Sequence, residues 1–272
     1  MKLFRMFTIF LLLRPCLFPI NVKDAFGRVH HFNKPPNKVI SISPAVTDTI
    51  VMLGMEKILV GVSTFSELEG VKKIGGILNP NVEIIKNLNP EIVLVMQPTP
   101  LSLIKSIERS GVEVFPLKEP KNMEEIAQMV IKLGKIFSKK RKAEKIAENF
   151  LREVSPVSKR KGKAYIGFVE PPFWTACRGT FLDDLISRAG WENICEIKGW
   201  TALSGEEIHI KNPDLIIIPG SKKKKEIQYL LKFPWNGTSA VKTGKVLVIN
   251  ENLLLRPSPL ISRAYKEILK VK

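Results

Sequence analysis

Few residues in this chain could do chemistry, and their spacing favours binding over catalysis. There are three histidines, His30, His31 and His209. The first two are neighbours, and adjacent residues of a strand point to opposite faces, so they do not readily share a metal ion. A zinc or manganese site built from several histidines and carboxylates is therefore not expected. Asp183 and Asp184 are also adjacent. On a helix they point apart, and they read as first-turn acids rather than a catalytic carboxylate pair. The sequence has no phosphate-binding glycine loop, no glycine-flanked serine elbow and no dinucleotide glycine turn. Cys177 and Cys195 make a poor metal site without nearby histidines. A helix predicted between them is expected to hold them apart and leave them unpaired.

Two glutamates stand out by spacing instead. Glu83 opens the run Glu-Ile-Ile-Lys-Asn-Leu-Asn-Pro-Glu-Ile-Val-Leu-Val, ending at Val95. Glu206 opens Glu-Glu-Ile-His-Ile-Lys-Asn-Pro-Asp-Leu-Ile-Ile-Ile, ending at Ile218. In each run a short helix begins near the glutamate, Asn-Pro stops it, and a buried parallel strand follows. One unit occurring in both halves predicts two lobes of similar construction.

The elements that must position these residues alternate. Runs 39–43, 58–62, 92–96 and 112–116 read as strands, with helices predicted over 47–53, 82–88 and 101–110 between them. After a strand at 163–169, the pattern resumes with a helix at 181–189, a strand at 215–219, a helix at 224–231, a strand at 246–250 and a helix at 261–270. Such alternation predicts an α/β fold of two doubly wound lobes with mostly parallel sheets. Between the halves, Asn122 caps a helix to about residue 137. Ser138 caps a second that is expected to run, kinked at Pro156, to Lys159. That span of roughly 20 residues gives a rigid rod near 30 Å long. The expected division is an N-terminal lobe 22–137, a backbone helix 138–160 and a C-terminal lobe 161–272.

The chain has 272 residues, 44% of them hydrophobic, ample for packed cores. With 43 Lys and Arg against 26 Asp and Glu, it carries +17, which raises the question of an anionic partner. The basic runs at 139–142, 159–163 and 222–225 have no interleaved aromatics, so they read as solvated helix ends rather than a nucleic-acid surface. Residues 1–21 read as an export signal: Lys2 and Arg5, an apolar run from Met6 to Leu13, then Arg14 and Pro15. That run is far shorter than the roughly 20 residues a membrane helix needs. Cleavage near 18–23 and lipidation at Cys16 both remain open. Export would make the environment permissive for disulfides.

At this point the sequence resembles the periplasmic binding proteins for vitamin B12 and iron–siderophores, from about Asp24 to the C-terminus. The matching segments are Asp24-Ala-Phe-Gly-Arg28, Val39-Ile-Ser-Ile-Ser-Pro-Ala-Val-Thr-Asp48, Leu53-Gly54, Val60-Gly-Val-Ser63, Asn79-Pro80 and Asn89-Pro-Glu-Ile-Val93. In the second half they are Pro171-Pro-Phe173, Gly190 to Ile194, Trp200 with Ser204, and Arg256-Pro-Ser-Pro259. The resemblance implies lobes bridged by a rigid helix, no enzymatic turnover and no covalently bound cofactor. It also implies docking of Glu83 and Glu206 on arginines of an ABC importer's permease. It implies a ligand cleft lined by Ser43, Pro44, Phe65, Phe173, Trp174, Trp200, Asn252 and Arg256. Phe173 and Trp200 match aromatics that the B12 binder sets against its corrinoid, and Arg256 would hold a ligand carboxylate, phosphate or catecholate. Two further aromatic positions of that cage fall at Ile77 and Met96, and an acidic ligand contact falls at Asn252. The expected ligand is a cobalt corrinoid or ferric siderophore, with haem and oxyanions as alternatives within the same fold. The protein is expected to be an exported monomer, periplasmic or anchored at the cell surface. A basic nucleic-acid-binding protein and an exported α/β enzyme are the rival classes.

Overall fold

The structure, a computed structural model, describes residues 19–220 and 224–272. The expected signal features, Lys2 to Cys16, lie outside them, as do Lys222 and Lys223. The first strand, β1 (Ile20–Lys23), begins inside the 1–21 stretch read as signal. It pairs antiparallel with β2 (Val29–Phe32). The Asp24 to Arg28 segment makes the turn between them. Asp24 Oδ1 accepts from the backbone N–H groups of Phe26 and Arg28, and Gly27 takes φ +82°.

The N-terminal lobe then winds β3 (Val39–Ser41), α1 (Pro44–Met52), β4 (Leu59–Val62), β5 (Lys72–Lys73), α2 (Val82–Leu88), β6 (Ile92–Met96), α3 (Leu101–Arg109) and β7 (Val114–Leu117). Its five strands lie in the order β5-β4-β3-β6-β7, all parallel. Side chains alternate between the sheet's two faces. Val39, Ile92, Leu94 and Phe115 pack beneath α1, while Ile40, Val93, Val95 and Val114 pack with Ile85 of α2 and Ile104 of α3. Burial on both faces is why these strands read as continuous apolar runs.

Two helices follow, α4 (Met123–Ile136) and α5 (Lys140–Glu153). The expected rod is shorter than the sequence implied, and it is paired. α5 ends at Glu153, before Ser155-Pro156, because proline cannot continue a helix without losing a hydrogen bond. Ser138 is not its cap. Ser138 sits at φ 53° in the reversal between the helices, and Lys139 is the N-cap, without a side-chain bond. The two helices run antiparallel and touch closely: a Cβ on Gly134 would lie 2.1 Å from that of Ala143.

The C-terminal lobe contains β8 (Gly162–Ile166), β9 (Trp174–Ala176), α6 (Phe181–Arg188), β10 (Trp191–Asn193), β11 (Trp200–Ala202), α7 (Gly205–Lys211), β12 (Leu215–Pro219), α8 (Lys224–Leu230), α9 (Ser239–Lys242), β13 (Val246–Ile249), α10 (Glu251–Leu254) and α11 (Ser262–Leu269). Its sheet, β10-β8-β12-β13, is again all parallel. Strands β9 and β11 form a separate antiparallel ribbon. The α/β class and the parallel two-lobe plan thus agree with the sequence reading. No helix among the described residues is long and apolar enough to cross a membrane.

One expectation is overturned in this lobe: Cys177 and Cys195 form a disulfide, with Cα atoms 4.8 Å apart. The intervening α6 has only eight residues. The chain turns back after it at Gly190 and descends through β10 beside β8, so both cysteines arrive at one end of the sheet. They are completely buried beside Tyr165, Leu203 and Trp235.

Candidate functional site

The repeated unit is the same structure twice. Helices α2 and α7 each have seven residues, with the glutamate second. Each ends on an asparagine in the left-handed region, Asn89 at φ 45° and Asn212 at φ 44°, followed by proline and a buried strand. Capping leaves both glutamates unused. Asn81 caps α2, accepting from Ile84 N–H. In α7, Ser204 and Glu207 form the reciprocal capping box, so the partner of Ser204 is Glu207 and not Glu206. Glu83 and Glu206 are exposed, and among the described residues neither makes a side-chain bond.

Open parallel sheets bind ligands beyond the carboxyl ends of their strands. At that end of the N-terminal lobe stand Ser43 and Pro44, the N-cap and first residue of α1. Both are buried, and the Ser43 hydroxyl reaches only the Met96 sulfur, at 3.9 Å. Behind them a chain of buried hydroxyls runs from Ser66 to Thr47 to Ser41. Phe65, past the end of β4, is 61% exposed.

At the matching end of the C-terminal lobe, the β9–β11 ribbon is anchored to β8. Phe168 N–H donates to the Trp174 carbonyl, and Thr175 Oγ1 donates to that of Ile166. Trp174 and Trp200 are 47% and 39% exposed. Phe173 is different. It turns edge-on to the buried Trp235, with centroids 5.7 Å apart, and packs partly into the core.

Arg256 ties the two lobes together. It is 7% exposed, and its Nη2 donates at 2.6 Å to the Phe65 carbonyl and at 2.6 Å to Asn252 Oδ1. Its Nη1 stands 3.5 Å from Asp48 Oδ2 and 3.7 Å from Glu67 Oε2. Asn252 Nδ2 donates to Glu67 Oε1 at 2.6 Å. Phe65, Asp48 and Glu67 belong to one lobe, and Asn252 and Arg256 to the other. Burial pushes the Asp48 carboxyl above its ordinary range, Arg256 opposes that, and Glu67 adds to it.

The structure therefore joins Phe65, Asn252 and Arg256 in one cluster, with Ser43 and Pro44 on the adjoining helix end. Phe173, Trp174 and Trp200 form a second group on the ribbon. Sequence reasoning missed Asp48 and Glu67 as partners of Arg256. Asp48 closes a segment already singled out, but nothing local marks Glu67.

The tyrosines and histidines stand elsewhere. Tyr165 and Tyr265 are buried with hydroxyls bonded to backbone carbonyls, and Tyr229 packs on the outer core of the C-terminal lobe. His30 is held between Asp24 and Glu113, His31 bonds Asn21, and His209 lies against Phe233. Among the described residues no group of three metal-ligating side chains occurs.

Two parallel α/β lobes joined through the Arg256 cluster are the architecture of a two-lobe solute receptor. The chain belongs to the periplasmic binding protein family, which it matches over residues 39–253. This places it outside the cytoplasm, in the periplasm or anchored at the cell surface. An uncharacterized ABC transporter substrate-binding lipoprotein of Bacillus subtilis is 23% identical, covering 93% of this chain and 85% of the relative. The vitamin B12-binding protein of Yersinia pestis is 26% identical, over 85% of this chain and 84% of that protein. A periplasmic heme-binding protein of Pseudomonas aeruginosa superposes with a TM-score of 0.77 at 22% identity, covering 86% of this chain and 91% of that one.

Proposed function

We propose that this chain is the solute-binding component of an ABC importer. It captures a corrinoid or iron–siderophore between its lobes and delivers it to the permease, which it meets through Glu83 and Glu206. The observation that carries the reading is the pair of equivalent corners, one per lobe, each presenting an exposed glutamate that its own helix does not use. Exposed carboxylates in matched positions suit orientation against basic residues of a partner.

The ligand class follows from what surrounds the cleft. Phe65, Trp174 and Trp200 offer broad aromatic surface at low entropic cost, which suits a large, partly flat guest. Corrinoids and hexadentate siderophores arrive with their metal already ligated by their own atoms. Tyr165 does reach the carboxyl end of β8, but it is fully buried and its hydroxyl is bonded to the Phe168 carbonyl. The histidines are bonded or packed elsewhere, so among the described residues haem iron is offered no free imidazole or phenolate there. In this reading Ser43, Pro44, Phe65, Trp174 and Trp200 contact the guest, Phe173 backs the ribbon, and Asn252 and Arg256 form the floor.

The test is to purify the protein from its source and record its absorbance and native mass. A co-purified corrinoid or ferric chelate is expected, and adding it to stripped protein should raise the melting temperature. A co-purified haem, or no thermal response to any corrinoid or ferric siderophore, would overturn the ligand assignment.

A further inference from the structure

We infer that Asp48 and Glu67 set the charge class of the guest, and that the cleft takes a chelate without net negative charge in preference to an anionic one. This rests on the ligand class proposed above and narrows it. The chain carries +17, which by itself would point to an anionic guest. The floor points the other way. Its one buried cation, Arg256, is spent within the protein. Both Nη2 bonds end on protein oxygens at 2.6 Å, and Nη1 faces two carboxylates.

Glu67 is the exposed member of this group, with its side chain 67% accessible, against 14% for Asp48 and 9% for Arg256. It occupies the place an incoming anionic arm would need. Asn252 holds it there by donating from Nδ2 while its Oδ1 accepts from Arg256. A catecholate or carboxylate entering from the cleft must displace Glu67 or lie beside it. Displacement exchanges one carboxylate for another on the same guanidinium and gains little. Lying beside it brings like charges together, and their repulsion grows as the guest displaces water from the floor. Among the described residues, Glu170 and Glu251 line the small depression at the carboxyl ends of β8, β12 and β13, adding negative charge at that end. A neutral or cationic chelate meets none of these costs and leaves the lobe-bridging bonds intact.

The experiment is isothermal titration of the purified protein with three probes: cyanocobalamin, a ferric trihydroxamate and a trianionic ferric tricatecholate. Each is run on the unaltered protein and on Glu67→Gln and Asp48→Asn. The unaltered protein is expected to bind the tricatecholate at least about tenfold more weakly than the better of the other two, an effect that added salt reduces. Glu67→Gln should strengthen the tricatecholate by about tenfold and change the others by less than about twofold. Glu67 is mostly exposed, so this variant should fold even where Asp48→Asn does not. A tricatecholate that binds the unaltered protein as tightly as the others, or that ignores Glu67→Gln, overturns the inference while leaving the chelate class standing. Failure of all three probes to bind overturns the chelate class and this inference with it.

Discussion

The disulfide is the feature whose energetic weight can be worked from the chain itself. Cys177 and Cys195 are 18 residues apart, and the closed loop contains α6 and β10. Constraining a loop of that length in the unfolded chain stabilises the fold by about 3 kcal/mol. Both sulfurs are also buried against Tyr165, Ile194, Leu203 and Trp235. Replacing both cysteines with alanine therefore removes packing as well, and the total loss should reach roughly 3–5 kcal/mol. For a chain of this size that corresponds to a fall in melting temperature of about 6–20 °C. Urea unfolding followed by circular dichroism separates the two contributions. Oxidised against fully reduced protein reports the cross-link, and reduced protein against Cys177→Ala/Cys195→Ala reports the packing. If oxidised and reduced protein unfold within about 1 kcal/mol of each other, the loop-closure argument is wrong here. A titration that finds two free thiols in the native protein would remove its premise.

Four further perturbations test the rest. Glu83→Lys and Glu206→Lys should each lower ligand uptake in cells by about tenfold or more while leaving affinity for cyanocobalamin or a ferric trihydroxamate within about twofold; loss of binding itself would refute docking roles. Trp200→Ala should weaken binding of whichever of those probes binds by roughly 1–3 kcal/mol, read by titration calorimetry, and an unchanged constant would put the ribbon outside the site. Gly134→Ala should destabilise by about 1–3 kcal/mol, because the added methyl meets Ala143 across the helix pair; a neutral effect in urea unfolding would contradict the close packing. The Asp24 carboxyl is pushed up by burial, but bonds from Arg28 and His30 outweigh this and hold it below its ordinary 3.8. A depressed carboxylate contributes stability that is present above the unfolded value and lost as pH falls through the folded one. Asp24→Asn should therefore cost most at neutral pH, and its gap from the unaltered protein should close below pH 3.8; a gap that stays constant with pH would show that the carboxylate's charge plays no part.

What the sequence made legible follows from the range of the signals. Helix α2 and strands β6 and β12 stand where the residue pattern put them, because Asn-Pro is a local instruction: the asparagine takes the left-handed cap and the proline forbids another turn. The glutamates' freedom could be read only once the caps were assigned, since Asn81 caps α2 and Glu207 closes the capping box of α7. The β9–β11 ribbon was not legible. Its strands have three residues each, too short to show alternation, and their pairing is fixed by the approach to β8. The disulfide was hidden for the same reason, because separation along the chain said nothing of the path that α6 and β10 take back. Arg256 and Asp48 lie 208 residues apart, and only the meeting of the lobes brings them together.

That meeting has a consequence for how a guest is gripped. The α4–α5 pair does not sit between two independent cores; each helix is divided between them. Met123, Ile126 and Ala127 belong to the inner core of the C-terminal lobe, whereas Met129, Val130, Leu133 and Ile136 belong to that of the N-terminal lobe. On the return, Ala143 packs in the N-terminal lobe, and Ala147, Phe150 and Val154 pack in the C-terminal lobe. Polar bonds fix the junction further. Asp184 of α6 accepts from the Met123 N–H at 2.8 Å, and Arg188 reaches Glu124. A wide swing of the lobes would have to draw buried side chains out of one core or the other, at about 1.5–3 kcal/mol for each large one exposed. The bonds of Arg256 across the cleft floor are weaker by comparison, since part of that cluster is open to solvent. On the proposed reading, rearrangement on binding would be confined to the Arg256 cluster and the exposed side chains of the ribbon. Affinity then depends on how well a preformed cleft fits its guest, and selectivity on which groups at the floor the guest must disturb.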